Sequence, residues 1–147
     1  MLDLVNTYEG FVNLRKNAMR SHVQIKHGLI ETLEIPALKN VLSQLEKNKK
    51  DHWNNELLNM VKGYFKDIDI LFEQLSKKMI VGGKVYFNVA NSAYYGVHIE
   101  VDKIVASIAQ YHGFLIEEIR QARNLKPSIQ QKNLISTLRE SVIVMIR

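Results

Sequence analysis

The strongest constraint on the fold lies near the end of the chain, where residues 141–146 (SVIVMI) contain no charged side chain. A strand that faces solvent on one side alternates apolar and polar residues, whereas a strand covered on both faces is continuously apolar. These residues therefore predict an interior strand. The rest of the chain must then supply a strand on each side of it.

The preceding residues supply helices and strands for this arrangement. Apolar residues recur at intervals of three and four over residues 55–79, and Gly82-Gly83 ends this helical pattern. Residues 84–89 (KVYFNV) are β-branched and aromatic, which predicts a strand, and residues 91–96 predict a polar, aromatic loop. Residues 102–112 predict a second helix, and residues 114–123 alternate imperfectly, as an edge strand does.

The order helix, strand, helix, strand, strand predicts an α/β fold. A strand–helix–strand unit implies two parallel strands joined by a right-handed crossover. The last strand is the most apolar, so we place it between the other two and antiparallel to its predecessor. Residues 1–54 form a helix-rich basic segment with breaks at Gly10, Gly28 and Pro36, and residues 55–147 form the α/β part of the same compact unit.

Composition excludes several classes of site. The 147 residues include no cysteine, so a disulfide framework, a cysteine-ligated metal and a thiol nucleophile are excluded. No apolar run reaches the roughly 18 residues that span a membrane, and the N-terminus lacks the apolar core of a signal peptide. We therefore expect a cytoplasmic protein without membrane partners.

Positive charge is concentrated early in the chain. The net charge is +5, and residues 11–50 alone carry eight lysines and arginines against three glutamates, a difference of 8 − 3 = +5. Such asymmetry favours an anionic partner, for which nucleic acid is the commonest candidate. An ordinary solvated helical face explains the charge equally well.

From Val81 the sequence reads VGGKVYFNVANSAYYGVHIEVDKIVASIAQYHGFLIEEIRQAR, and residues 138–147 read LRESVIVMIR. These two stretches resemble bacterial DNA methyltransferases of restriction–modification systems. The resemblance covers roughly residues 10–147, and residues 14–23 (LRKNAMRSHV) are similar to the basic segment that follows the catalytic motif of that family. Its other motifs, in chain order, are Gly82-Gly83, Asn91-Ser92, Tyr95-Gly96-Val97, Ile99 with Asp102, Gly113-Phe114, Arg123 and Arg139-Glu140-Ser141.

The resemblance implies the second half of a class I methyltransferase sheet, a Rossmann-like fold whose last strand is antiparallel. Members of the family bind S-adenosylmethionine through a Gly-rich turn and an acidic residue, and hold the target amine with a Pro-Pro-Tyr loop. This sequence contains neither feature. It resembles the C-terminal half of a split or truncated N4-cytosine or N6-adenine methyltransferase, with no catalytic residue of its own. We expect it to be inactive alone and not to bind S-adenosylmethionine alone.

The resemblance also implies a pocket for a target base flipped out of the duplex. Its candidate residues are Asn91, Ser92, Tyr94 and Tyr95, which follow the carboxyl end of a predicted strand, where open α/β sheets place their ligand crevice. The alternative is that Asn91-Ser92 forms a simple turn and that the tyrosines cover the crossover helix.

Two groups of basic and amide side chains are candidates for DNA contact, because such groups bind phosphates and base edges. A solvated surface is the alternative for both, and no metal site is predicted. The candidates are Arg15, Lys16, Arg20, His22 and Lys26 in the first group, and Arg120, Arg123, Lys126, Gln130, Gln131 and Lys132 in the second.

The resemblance to the C-terminal half of a methyltransferase implies a protein partner. The predicted strand at residues 84–89 lacks its neighbour on one side, so we expect the missing N-terminal half, or a second copy of the chain, to pair with that edge. Two rival functions stay open: a non-enzymatic DNA-binding or target-recognition subunit, and a decayed methyltransferase fragment.

Overall fold

The computed structural model describes residues 7–16, 19–20, 31, 33–48, 54–127 and 135–147. The predicted helices and strands are present within these ranges, with ends that differ by up to three residues. None of the helices described there is long and apolar enough to cross a membrane. The elements are α1 (Tyr8–Lys16), α2 (Pro36–Lys47), α3 (Asn54–Lys78), β1 (Lys84–Ala90), β2 (Ser92–Tyr94), β3 (Val97–Ile99), α4 (Val101–Tyr111), β4 (Leu115–Leu125) and β5 (Leu138–Ile146).

Two local expectations were wrong. Residues 91–96 are not a loop: β2 and β3 pair antiparallel there as a hairpin. Gly10 does not break the first helix but lies inside α1. Pro36 does mark a boundary, because it is the first residue of α2, where its missing N–H has no helical partner to lose.

The main sheet has the order β1-β5-β4, and β5 runs antiparallel to both neighbours. This confirms the interior, antiparallel position predicted for the last strand. Because both flanking strands oppose β5, β1 and β4 are parallel to each other, as the strand–helix–strand order requires. Two register shifts interrupt the pairing of β4 with β5.

The inner face of β5 lies at the centre of the core. Ser141, Ile143 and Met145 are fully buried there. Helix α3 packs on the same side of the sheet, where the ring of Phe72 lies 5.4 Å from that of Phe87 in β1 and 5.5 Å from that of Phe114. Helix α2 adds Leu38, Val41 and Leu45 to the same apolar cluster.

The outer face of the sheet is only partly covered by side chains. Val144 of β5 is buried, although Tyr86 and Leu115 on the flanking strands are exposed. Lys84 of β1 forms an ion pair at 2.8 Å with Glu117 of β4. Such long side chains cover apolar surface with their stems while their charged ends stay in water. Charged side chains therefore cover part of this face, while Tyr86 and Leu115 stay exposed.

A buried polar contact joins the middle of α3 to the carboxyl end of α4. Asp69 of α3 accepts a hydrogen bond from Lys66 at 2.8 Å, and its other carboxylate oxygen lies 2.7 Å from Nε2 of His112, the residue that ends α4. Burial opposes the charge of Asp69, but its contacts with Lys66 and His112 prevail and lower its pKa. The contact between Asp69 and His112 thus holds α4 against α3.

We predict that Phe72→Ala destabilises the fold by about 3–5 kcal/mol, because it removes a fully buried ring that joins α3 to the sheet. Ile70→Ala, two residues away at a 45% exposed position, should change the free energy of unfolding by less than about 1 kcal/mol. Urea unfolding of both variants measures the difference. Equal losses would contradict the placement of Phe72 at the centre of the core.

Candidate functional site

A cavity of about 270 Å³ lies at the carboxyl end of β1, between α3, the β2–β3 hairpin and the start of α4. This is the part of an open α/β sheet where ligand crevices occur. Its wall is mostly apolar and aromatic. The lining residues are Met60, Val61, Tyr64, Phe65, Ala90, Ser92, Tyr94, Ile99 and Val101.

Three lining side chains carry hydroxyl groups: Tyr64, Ser92 and Tyr94. In the part of the chain that the structure describes, no residue forms a hydrogen bond with any of these hydroxyls. Burial raises the pKa of Tyr64 further above neutral pH. Like any protonated tyrosine hydroxyl, that of Tyr64 can donate as well as accept a hydrogen bond. An apolar cavity with a few uncommitted hydrogen-bonding groups suits a flat, neutral ring with polar edges.

A buried carboxylate fixes the backbone next to this cavity. Asp102, in the first turn of α4, is fully buried. Its Oδ2 accepts hydrogen bonds from Ser141 Oγ at 2.7 Å and from Arg139 Nε at 2.8 Å, and its Oδ1 accepts from the Lys103 backbone N–H at 2.9 Å. Burial opposes the charge, but the bonds from Ser141 and Arg139 outweigh it and lower the pKa of Asp102.

Asn91 joins the same network from the end of β1. Its Oδ1 accepts a hydrogen bond from the Asp102 backbone N–H at 3.1 Å, and its own N–H donates to the carbonyl of Arg139 at 2.8 Å. The side chain is buried, yet its Nδ2 has no hydrogen-bond partner among the described residues. Asn91 therefore aligns β1 with the start of α4, and both N–H groups of its Nδ2 have no partner among the described residues.

The structure separates the four predicted base-pocket residues. Ser92 and Tyr94 line the cavity, whereas Asn91 supports it from the network and Tyr95 lies exposed at the hairpin turn. Sequence reasoning missed the contribution of α3, above all Tyr64. The signal was present as an apolar stripe, but a stripe at helical spacing does not reveal which of its residues border a cavity.

The first basic group is only partly described. Arg20 is half-buried, and its Nε lies 3.0 Å from Oδ1 of Asp67 in α3, whose Oδ2 also accepts the Arg20 backbone N–H at 2.7 Å. The stem of Arg20 rests on Gly63, where an added Cβ would lie 2.9 Å from Arg20 Cδ. The side chains of Arg15 and Lys16, and all of His22 and Lys26, lie outside the described residues.

In the second basic group, two arginines also have carboxylate partners. Arg120 lies 2.7 Å from Glu118, and Arg123 pairs with Glu140, which also accepts from Asn88 at 2.9 Å. Lys126 is exposed, and Gln130, Gln131 and Lys132 lie outside the described residues. Within the described ranges, no group of three His, Asp or Glu side chains could hold a metal ion.

Two curated proteins are similar to this chain. Both are named "Type II methyltransferase M.AvaI", one from Nostoc sp. (strain PCC 7120 / SAG 25.82 / UTEX 2576) and one from Anabaena variabilis, and each is 29% identical over 119 residues. The aligned region covers 74% of this chain and 25% of each relative, so the chain spans about a quarter of their length. No protein-family model matches the chain, and no solved structure matches it significantly.

The Asp102 network predicts a pH-dependent contribution to stability. Because the pKa of Asp102 is lowered by folding, its contribution is complete above the unfolded value of about 3.9 and is lost as pH falls through the folded value. Near neutral pH, Asp102→Asn should cost about 3–5 kcal/mol, since it leaves Arg139 without its buried partner.

Urea unfolding near pH 7 and at about pH 3 tests this expectation, and the difference between wild type and Asp102→Asn should shrink in acid. Glu118→Gln is the matched control, because it breaks the exposed pair with Arg120 and should not measurably change stability. A loss for Asp102→Asn as small as for Glu118→Gln would show that the network does not support the fold.

Proposed function

We propose that this chain is a segment of a DNA amino-methyltransferase of the restriction–modification type, acting on N4 of cytosine or N6 of adenine. In this proposal it supplies the pocket for the target base and needs the remaining part of the enzyme for catalysis. The observation that carries it is the cavity at the end of β1 with its three uncommitted hydroxyls. Similarity to two type II methyltransferases supports the enzyme class.

The cavity has the properties that a flipped base requires. An enzyme that modifies an amino group inside a duplex must extrude the nucleotide, stack its ring on aromatic or apolar side chains and hydrogen-bond its edge. Tyr64, Phe65 and Tyr94 supply rings, while the Ser92 hydroxyl supplies a donor and an acceptor. None of the lining residues is charged, which suits neutral adenine or cytosine.

The strand arrangement is consistent with this assignment. In the class I methyltransferase fold, the last strand of a Rossmann-like sheet inserts antiparallel between two parallel strands. The order β1-β5-β4, with β5 antiparallel, matches that half of the sheet. Helix α4 connects β1 to β4 in the way that a crossover helix does in such a unit.

S-adenosylmethionine is the methyl donor that the proposal implies, but the cavity does not fit it. The cofactor has a ribose with two hydroxyls and charged amino and carboxylate groups. Nucleotide folds bind a ribose through an acidic side chain, and no lining residue is acidic or basic. We therefore assign the cofactor site to the remaining part of the enzyme.

Phosphate contact by the basic residues stays a prediction. Arg20, Arg120 and Arg123 each face a carboxylate, so they would have to exchange that partner for a phosphate when DNA binds. The other members of the two groups are Arg15, Lys16, His22, Lys26, Lys126, Gln130, Gln131 and Lys132. A steep fall of duplex affinity with salt would indicate how many phosphates are neutralised.

The free edge of β1 is where we expect the remaining part of the enzyme to bind. The Asn91 backbone N–H donates to the carbonyl of Arg139 in β5. Alternate residues of an antiparallel strand bond to the same neighbour, so Tyr86, Asn88 and Ala90 direct their backbone groups away from β5. No described residue outside the strand hydrogen-bonds these groups. Val85 and Phe87 are half-buried, while Ile143 and Met145 beside them are fully buried, so the apolar layer is unfinished at this edge.

We predict that the chain binds free adenine or cytosine weakly in the cavity, and that Tyr64→Phe and Ser92→Ala reduce this binding severalfold because each removes one hydroxyl. Titration followed by ¹H–¹⁵N NMR measures the affinity and locates the shifts around residues 92–94. Tyr111→Phe is the control, since Tyr111 is exposed at the other end of α4 and should leave binding unchanged.

S-adenosylmethionine should cause no comparable shifts in the same titration. If neither adenine nor cytosine causes chemical-shift changes, the base pocket is contradicted. Tight binding of S-adenosylmethionine would place the cofactor site in this chain. Shifts that are equal in wild type and Tyr64→Phe would show that the base binds elsewhere.

For the free edge, we predict concentration-dependent self-association of the isolated chain that Tyr86→Pro weakens and Tyr86→Ala does not. Both variants lose the same exposed ring, but only proline removes the outward N–H, at an edge position where proline is tolerated. Light scattering measures association, and circular dichroism confirms that both variants fold. A wild type that stays monomeric at high concentration would show that the edge is already covered.

A further inference from the structure

The β2–β3 hairpin turns at two residues whose backbones are both left-handed. Tyr95 has φ of 51° and Gly96 has φ of 77°. A two-residue turn of this kind matches the twist of the strands and favours Asn, Asp or Gly at both positions. Tyrosine is unfavourable at the first position, because its Cβ crowds the backbone when φ is positive.

The tyrosine ring does not compensate for this strain within the described fold. It is 42% exposed, and no described aromatic ring packs against it. The backbone, in contrast, is held: Asn48 Nδ2 at the end of α2 donates to the Tyr95 carbonyl at 3.3 Å. The hairpin therefore presents an aromatic ring to solvent from a fixed turn.

The position of this ring relates it to the cavity. Tyr94, the preceding residue, lines the cavity, and the opposite strand contributes Ile99 to the same wall. Tyr95 thus lies at the tip of the hairpin that forms one side of the candidate base pocket. When a base leaves a duplex, it exposes the faces of its two neighbours, and aromatic side chains stack favourably on such faces.

We infer that Tyr95 is a wedge that enters duplex DNA at the position vacated by the target base and stacks on the neighbouring bases. The inference rests on the proposed function. It goes further because it assigns a binding partner, the bases next to the vacated position, to Tyr95, which does not line the cavity. Apolar and aromatic wedges are known to separate base steps in other DNA-binding proteins. The strained tyrosine is then retained for binding, at a position where asparagine would make the isolated chain more stable.

The test uses the full chain and two fluorescent duplexes that differ only in one abasic site, which imitates the vacated stack. By anisotropy, wild type should prefer the abasic duplex about tenfold, the size expected for stacking of one ring. Tyr95→Phe should keep the preference and Tyr95→Asn should abolish it. In thermal unfolding, Tyr95→Asn should melt at a higher temperature than wild type, because asparagine tolerates positive φ.

Tyr111→Asn is the matched control. It removes another exposed tyrosine, ten residues into α4 and therefore about 15 Å from the start of that helix, and it should retain the preference for the abasic duplex. A Tyr95→Asn variant that keeps the preference, or that melts no higher than wild type, would overturn the wedge while the base pocket stands. A wild type that binds neither duplex would also overturn the wedge, whereas the proposed function is tested separately by the titration with adenine and cytosine.

Discussion

The structure depends on the burial of one carboxylate, that of Asp102. A buried charge is tolerated only when hydrogen-bonding partners replace water, and here Ser141, Arg139 and the Lys103 backbone do so. These partners join the start of α4 to the central strand, and Asn91 joins the end of β1 to both. The wall of the cavity is therefore built on a rigid junction, while its lining residues remain available for a ligand.

Polar groups that stabilise the fold are paired, whereas polar groups at the cavity and at the edge of the sheet are not paired among the described residues. The outer face of the sheet has cross-strand ion pairs near buried Val144, and Asp69 joins the middle of α3 to the end of α4. By contrast, the cavity hydroxyls and the outward backbone groups of β1 have no partner among the described residues. Half-buried polar groups are normally paired, so we expect a ligand at the hydroxyls. The backbone groups of β1 belong to an open sheet edge, where we expect a neighbouring strand.

Most of the fold could be predicted because long elements repeat their burial pattern many times. The 25-residue helix α3 and the apolar strand β5 each present several residues of one period, and the low polarity of residues 141–146 correctly indicated a central strand. The β2–β3 hairpin was missed because each strand has only three residues, too few to show an alternation. Only part of the cavity lining could be predicted. Ser92 and Tyr94 follow a strand end and were predicted, whereas Tyr64 lies on a helix far away in sequence and was missed.

The sequence alone determined the order of the elements and the interior position of the last strand, since period and polarity are local properties. Only the tertiary structure decided which charges pair. Arg20 faces Asp67, Arg139 faces Asp102 and Arg123 faces Glu140, all across separations that no local pattern encodes. It also decided which backbone groups of β1 stay open, because that depends on the register with β5. Local spacing in the sequence determines whether a residue lies in a helix or a strand, whereas its neighbours in space determine which groups it pairs with.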